Sequence, residues 1–248
     1  MIDIYYETLG EVKVNFLKAI NAAFVPSYWK GLARAVVPTT EHSKAFAGLS
    51  FASLVDVGAN VGQFSLFAAH LWPTSTIYAF EPIPDQARRF AALHGQRVQL
   101  HRYALGDKSE TLALHVASRK DSSSLLPLGR RQKILFNMVE ASEIEVPVKR
   151  LDEVLTRDLL PKPSLLKIDV QGFEHQVLMG AGRLLEEFSH VFVEVSFIEL
   201  YENQKLYPDI LNLMNESGFS LMGKYNLLKD RDGNDIQADL LFSKNIEN

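Results

Sequence analysis

From Ser53 onward, short apolar runs alternate with stretches of helical periodicity, and that alternation most restricts what this chain can fold into. SLVDV (Ser53–Val57), TIYAF (Thr76–Phe80), VQLHRYAL (Val98–Leu105), SLLKIDV (Ser164–Val170) and HVFVEVSF (His190–Phe197) read as strands. Between them, Val61–Leu71, Pro84–His94 and about Phe173–Phe188 read as helices, with Pro84 in a first turn, where its missing amide hydrogen costs nothing. Strands and helices in this order predict an α/β fold, a mostly parallel sheet with helices on both faces. GFSLMGKY and ADLLFSK close the chain as two strands, and their short connection requires an antiparallel pair. TLALHVAS is a further strand, and IEVPVKR is another that Pro147 places at an edge. LDEVL starts a short helix, and Tyr207–Ser217 is a later one.

The flanks are less regular. Val12, Phe16, Ala19, Ile20 and Ala23 recur at helical spacing, so a helix is expected from about Glu11 to Phe24. Residues 1–50 are read as a helical N-terminal extension and 51–248 as the main domain, with an excursion from the sheet at about 119–145. A hydrophobic share of 47% allows a sizeable core, and a net charge of −4 with scattered basic residues argues against a nucleic-acid partner. With no cysteine, thiolate metal sites and cysteine nucleophiles are excluded. The N-terminus lacks the basic and apolar regions of a signal peptide, and no apolar run approaches the roughly 20 residues of a membrane span. A cytoplasmic protein is expected; its oligomeric state is not legible.

In an open parallel sheet, ligands bind beyond the carboxyl ends of the strands. Asp56, Glu81, Asp107, Asp169 and Glu194 all stand near such ends. Gly58 and Gly62 turn the chain after the first strand, with Asn60 supporting the turn, so that backbone can approach a ligand. Glu81 follows at the end of the second strand, roughly 20 residues on, where an acid accepts hydrogen bonds from a ribose. The step is Gly-x-x-x-Gly, without the central glycine that a pyrophosphate needs, so an adenosine cofactor lacking pyrophosphate fits better than NAD.

The blocks DVGANVGQFS, YAFEPIP, ALGD, RLDEVL, LLKIDVQGFEHQVLMGA and VEVSFIELYENQ, in that order, resemble the FkbM-type S-adenosylmethionine-dependent methyltransferases over about residues 53–204. The resemblance implies a Rossmann-like class I methyltransferase fold of seven strands with the last inserted antiparallel. It implies O-methylation of a small hydroxylated acceptor, a sugar or polyketide-type metabolite. By that likeness Asp56, Gly58, Asn60 and Gly62 line the methionine end of S-adenosylmethionine. Glu81 holds its ribose, and Ala104, Leu105 and Asp107 flank the adenine.

An alcohol is barely ionised at neutral pH, so a general base or a metal should help remove its proton. Asp169, Glu174 and His175 in KIDVQGFEH are the candidates. Glu174 alternatively complements its helix N-terminus, and His175 alternatively lies at the surface. Many relatives carry Glu where this chain has Gln171, which weakens a carboxylate-rich metal site, although Asp169, Glu174 and Glu194 leave room for a divalent ion. Glu194, Tyr201 and Gln204 are candidate acceptor contacts. Two other readings stand beside this one: an NAD-type oxidoreductase, and a cofactor-binding protein without catalysis.

Overall fold

In parallel strands covered on both faces, successive side chains enter two different cores, and the sequence supplies apolar residues for each. The computed structural model describes residues 18–245. Its strands are β1 (Ser53–Val57), β2 (Thr76–Phe80), β3 (Gln99–His101), β4 (Ala104–Leu105), β5 (Glu110–Ala117), β6 (Glu140–Lys149), β7 (Ser164–Ile168), β8 (His190–Ser196), β9 (Phe219–Lys229) and β10 (Asp235–Lys244). The longer helices are α1 (Gln63–Leu71), α2 (Pro84–His94), α3 (Arg130–Leu135), α4 (Glu174–Ala181) and α5 (Tyr207–Glu216).

Seven strands form one sheet in the order β3-β2-β1-β7-β8-β10-β9. All of its pairings are parallel except those of β10, which runs antiparallel to both β8 and β9. On one face Val55, Val57, Ile168 and Val193 pack with Val177 and Leu178 of α4 and with Ile210 and Met214 of α5. On the other, Leu54, Ile77 and Phe192 pack with Phe64 and Phe67 of α1, Phe90 of α2, and Phe46, Phe51 and Trp72. Each such fully buried side chain contributes about 1.5–3 kcal/mol relative to exposure. No described helix is long and apolar enough to cross a membrane.

The expected third strand is divided. Gln99–His101 stays in the main sheet, whereas Ala104–Leu105 leaves it and pairs in parallel with β6. With β5 antiparallel on its other side, β6 is the centre of a separate three-stranded sheet. Pro147 therefore sits in a middle strand. It is tolerated because β4 pairs only with Val148 and Lys149, leaving β5 as the sole neighbour at Pro147. The 119–145 excursion contains a helical turn, Lys120–Ser122, and α3, and it ends early because β6 begins at Glu140. The helix expected at about Phe173–Phe188 gives way after Ala181 to a tighter turn, where Gly182 has φ +51°. Of the helix expected at 11–24, the first part lies outside the described residues, and residues 18–23 are helical.

Candidate active site

The ends of β1, β2 and β7 converge, and their residues allow a closeness that few sequences permit. Gly58 has φ +75°, and a Cβ there would fall 1.8 Å from the Asp169 carbonyl oxygen, so the β1 turn accepts only glycine. Gly62, at φ +94°, opens α1 beneath the His94 ring, whose Nε2 lies 3.1 Å from the Gly62 carbonyl oxygen. Between them Asn60, also left-handed at φ +50°, donates its backbone N–H to Glu81 Oε2 at 2.8 Å. The Ile83 N–H reaches Glu81 Oε1 at 2.8 Å. Burial pushes the Glu81 carboxyl up to about 7, a rise that the two backbone donors only partly offset.

Under this turn lies an ion pair. Asp56, fully buried, accepts the Ser65 hydroxyl at 2.7 Å and faces Lys167 Nζ at 3.2 Å. Lys167 also lies 3.7 Å from Asp169 Oδ2 and 3.3 Å from the Gly58 carbonyl oxygen. Burial works against the Lys167 charge, but Asp56 and Asp169 outweigh it and hold the ammonium above the usual lysine range.

Above the turn opens a cavity of about 430 Å³. Gly58, Asn60, Glu81, Ala104, Leu105, Asp169 and Glu194 line it, so half of the residues singled out in the sequence meet in one place. The other half do not reach its wall. Asp56 and Gly62 lie beneath it. The Asp107 backbone carbonyl accepts Arg150 Nη1 at 2.7 Å. Glu174 turns back on its own turn, where its Oε1 accepts the N–H groups of Val170 at 3.2 Å and Gly172 at 3.0 Å. His175 is half-buried, and burial, with the charge of Lys205, lowers its pKa against the opposing charges of Asp209 and Asp107. Tyr201 is fully buried, and Gln204 Oε1 accepts the N–H groups of Leu200 and Tyr201 at 2.6 and 2.7 Å.

Four wall residues carry no sequence signal as strong as the glycine turn: His42, Asn226, Gln237 and Asp239. Asn226 Nδ2 donates to Asp239 Oδ2 at 2.7 Å and lies 3.0 Å from His42 Nδ1. Asp239 and Glu194 are cross-strand partners in β10 and β8, so both point to one side of the sheet. Burial, then the charges of Asp169 and Asp239, raise the Glu194 carboxyl well above its ordinary range. The i, i+2 spacing of Gln237 and Asp239 on a closing strand is the one cue that finds this wall from sequence.

Asp169, Glu174 and Glu194 do not gather around a common point for a metal. The Gln171 amide nitrogen stands between Asp169 and Glu194, and Glu174 is spent on backbone donors. Among the described residues, the group of His and carboxylates with mutually close ligand atoms is His115, Glu140 and Glu143 on β5 and β6, outside the cavity wall.

A sequence profile described as the methyltransferase FkbM domain matches residues 56–221, most of the chain. The chain belongs to the FkbM methyltransferase family. It is 31% identical to Methyltransferase 1 of Beauveria bassiana, over 68% of this chain and 72% of that protein. It is 27% identical to the 2-O-methyltransferase NoeI of Sinorhizobium fredii, over 69% of this chain and 74% of that protein. A solved FkbM methyltransferase from Methylobacillus flagellatus is 16% identical with a TM-score of 0.48, covering 78% of this chain and 44% of that one. In this FkbM-family chain the matched span holds the glycine turn, Glu81, Asp169 and Glu194, whereas His42, Asn226, Gln237 and Asp239 stand outside it.

Proposed function

We propose that this FkbM-family methyltransferase moves the methyl group of S-adenosylmethionine to a hydroxyl of a small molecule, such as a sugar or a polyketide-type metabolite. The observation that carries the reading is Glu81, set at the end of β2 by two backbone donors and facing the cavity beside Gly58. Its carboxylate is positioned to accept the ribose hydroxyls, with Gly58 and Asn60 toward the methionine end and Ala104 and Leu105 against the adenine. Asp56 serves from beneath, through Lys167, by holding the ends of β1 and β7. The sulfonium brings its own electrophilic methyl, so the protein's work is to align an oxygen behind it and receive a proton. Asp169 is the proton acceptor in this reading, because it lines the cavity just past the end of β7, and its Oδ2 lies 3.7 Å from Lys167 Nζ, a positive charge that favours the ionised carboxylate. The relative named a 2-O-methyltransferase supports oxygen as the accepting atom.

Calorimetry with S-adenosylmethionine and NAD, followed by a mass-spectrometric screen of hydroxylated acceptors with labelled cofactor, tests the proposal. Tight NAD binding without S-adenosylmethionine binding would overturn it. Cofactor binding with no transfer to any hydroxyl would leave a binding protein in its place. Asp169→Asn is expected to cut turnover by about 10²-fold or more while cofactor affinity stays within about twofold.

A further inference from the structure

Gln171 follows β7 in a left-handed conformation, φ +58°, that a residue with a side chain rarely adopts. Its backbone carbonyl accepts the Ser124 hydroxyl at 2.6 Å, and Gly172 beside it leaves room for the Tyr201 ring. The side chain is thereby delivered between two carboxylates. Its Nε2 donates to Asp169 Oδ1 at 2.8 Å and to Glu194 Oε2 at 2.9 Å. Both amide hydrogens are used, and Gln237 Nε2 adds a bond to the same Glu194 oxygen at 3.2 Å.

The orientation of this amide is over-determined. A carboxylate oxygen that carries no proton can only accept, so the amide presents its N–H side to Asp169 Oδ1 and Glu194 Oε2. Behind it, the Tyr201 hydroxyl lies 2.8 Å from Gln171 Oε1 and receives Gln132 Nε2 at 3.1 Å. With its lone pairs facing that donor, the hydroxyl is free to give its hydrogen to Gln171, its shorter contact, over the Ser122 carbonyl oxygen at 3.0 Å. Tyr201 is fully buried, so this back support does not depend on a mobile surface group.

We infer that Gln171 is a positioning residue whose amide does, between Asp169 and Glu194, what a divalent cation does between paired carboxylates elsewhere. It sets their separation and screens their repulsion. The amide leaves Glu194 Oε1, and Asp169 Oδ2 with Lys167 Nζ 3.7 Å away, for an uncharged hydroxyl donor, and no coordination position is open to a metal. A cation needs lone pairs converging at about 2.0–2.6 Å, and the amide presents hydrogens instead. Burial first, and then the charges of Asp169 and Asp239, raise the proton affinity of Glu194, and Lys167 offsets them only in part. The identification of the open oxygens as the acceptor's contacts rests on the methyltransferase reading; the absence of a metal position does not.

The test uses Mn²⁺ alone as probe, on the full chain. By calorimetry the wild type, in a His115→Ala background that removes the separate His115–Glu140–Glu143 group, is expected to show no one-to-one Mn²⁺ uptake up to about 1 mM. Gln171→Glu, which places three carboxylates where the amide stood, is expected to bind Mn²⁺ at least about tenfold more tightly and to lose that binding when Glu194→Gln is added. Uptake by the wild type as tight as by Gln171→Glu would overturn the inference, as would no uptake by a folded Gln171→Glu.

If Gln171→Glu fails to fold, the wild type still decides. Its two Gln171 side-chain amide protons, identified by their loss in Gln171→Ala, should resonate downfield of free amides and exchange slowly. One should move in Asp169→Asn and the other in Glu194→Gln. Protons that exchange as freely as those of a surface glutamine would overturn the inference. Failure of S-adenosylmethionine to bind would defeat the proposed function and leave these readings intact; Mn²⁺ uptake by the wild type would do the reverse.

Discussion

Glu81 shows how far one residue can be read from its place in the chain. Its distance from the glycine turn marks it as a ligand-facing acid, and it lines the cavity. What spacing could not convey is its proton. With burial holding the carboxyl at about 7, Glu81 is only part-ionised at neutral pH. Ribose hydroxyls would donate to the ionised form and so lower its pKa in the complex, which makes binding release protons around and below pH 7. Cofactor affinity should therefore fall as pH drops from about 8 to about 6, by up to about tenfold per unit below 7, and level off above it. Glu81→Gln should bind about tenfold more weakly at high pH and lose this dependence. Calorimetry in buffers of different ionisation heat reads both, and a flat wild-type profile would remove Glu81 from the ribose role. Glu174 illustrates the opposite case. Its carboxylate is aimed by the backbone of residues 170–172, and no pattern of residue types reveals that it turns inward.

At the scale of elements, the inner strands β1, β2, β7, β8 and β10 were legible because each is an apolar run buried on both sides, whereas the edge strands β3 and β9 are half-exposed. The pairing partners were less so. The turn out of the sheet at residues 102–103 and the start of β6 in the polar stretch EASEIE depend on contacts remote in sequence. The Asp56–Lys167 pair is such a contact, linking the register partners of β1 and β7 at the point where both must end together. Replacing Lys167 by Met would leave Asp56 buried with only the Ser65 hydroxyl for company. The expected cost is about 3–5 kcal/mol in denaturant unfolding, because an uncompensated buried charge loses its partner but not its desolvation. The double variant Asp56→Asn/Lys167→Met should lose less than the sum of the single changes. Additive losses would show that the two groups stabilise the sheet independently.

At the scale of the whole molecule, the cavity is closed by pieces that the family profile does not contain. His42 arrives from the helical turn Thr40–Lys44, before β1, and Asn226 and Asp239 arrive from β9 and β10. Their meeting follows from β10 running antiparallel beside β8, which sets Asp239 opposite Glu194 and within 3.4 Å of His42 Nδ1. The family profile spans residues 56–221, so His42, Asn226 and Asp239 of this wall lie outside it. The His42 ring packs edge-on against Phe192 at 5.2 Å and lies 5.7 Å from Phe64, so its position is set by the same core that seats α1. Removing it should leave the glycine turn and Glu81 untouched while loosening the far wall. For His42→Ala the expected outcome is unchanged cofactor affinity, with methyl transfer reduced about tenfold through misalignment of the acceptor. Asn226→Ala, which removes the amide that contacts both His42 and Asp239, should act in the same direction. If saturating cofactor restores full turnover in both variants, the wall built from the chain's two ends serves the cofactor rather than the acceptor.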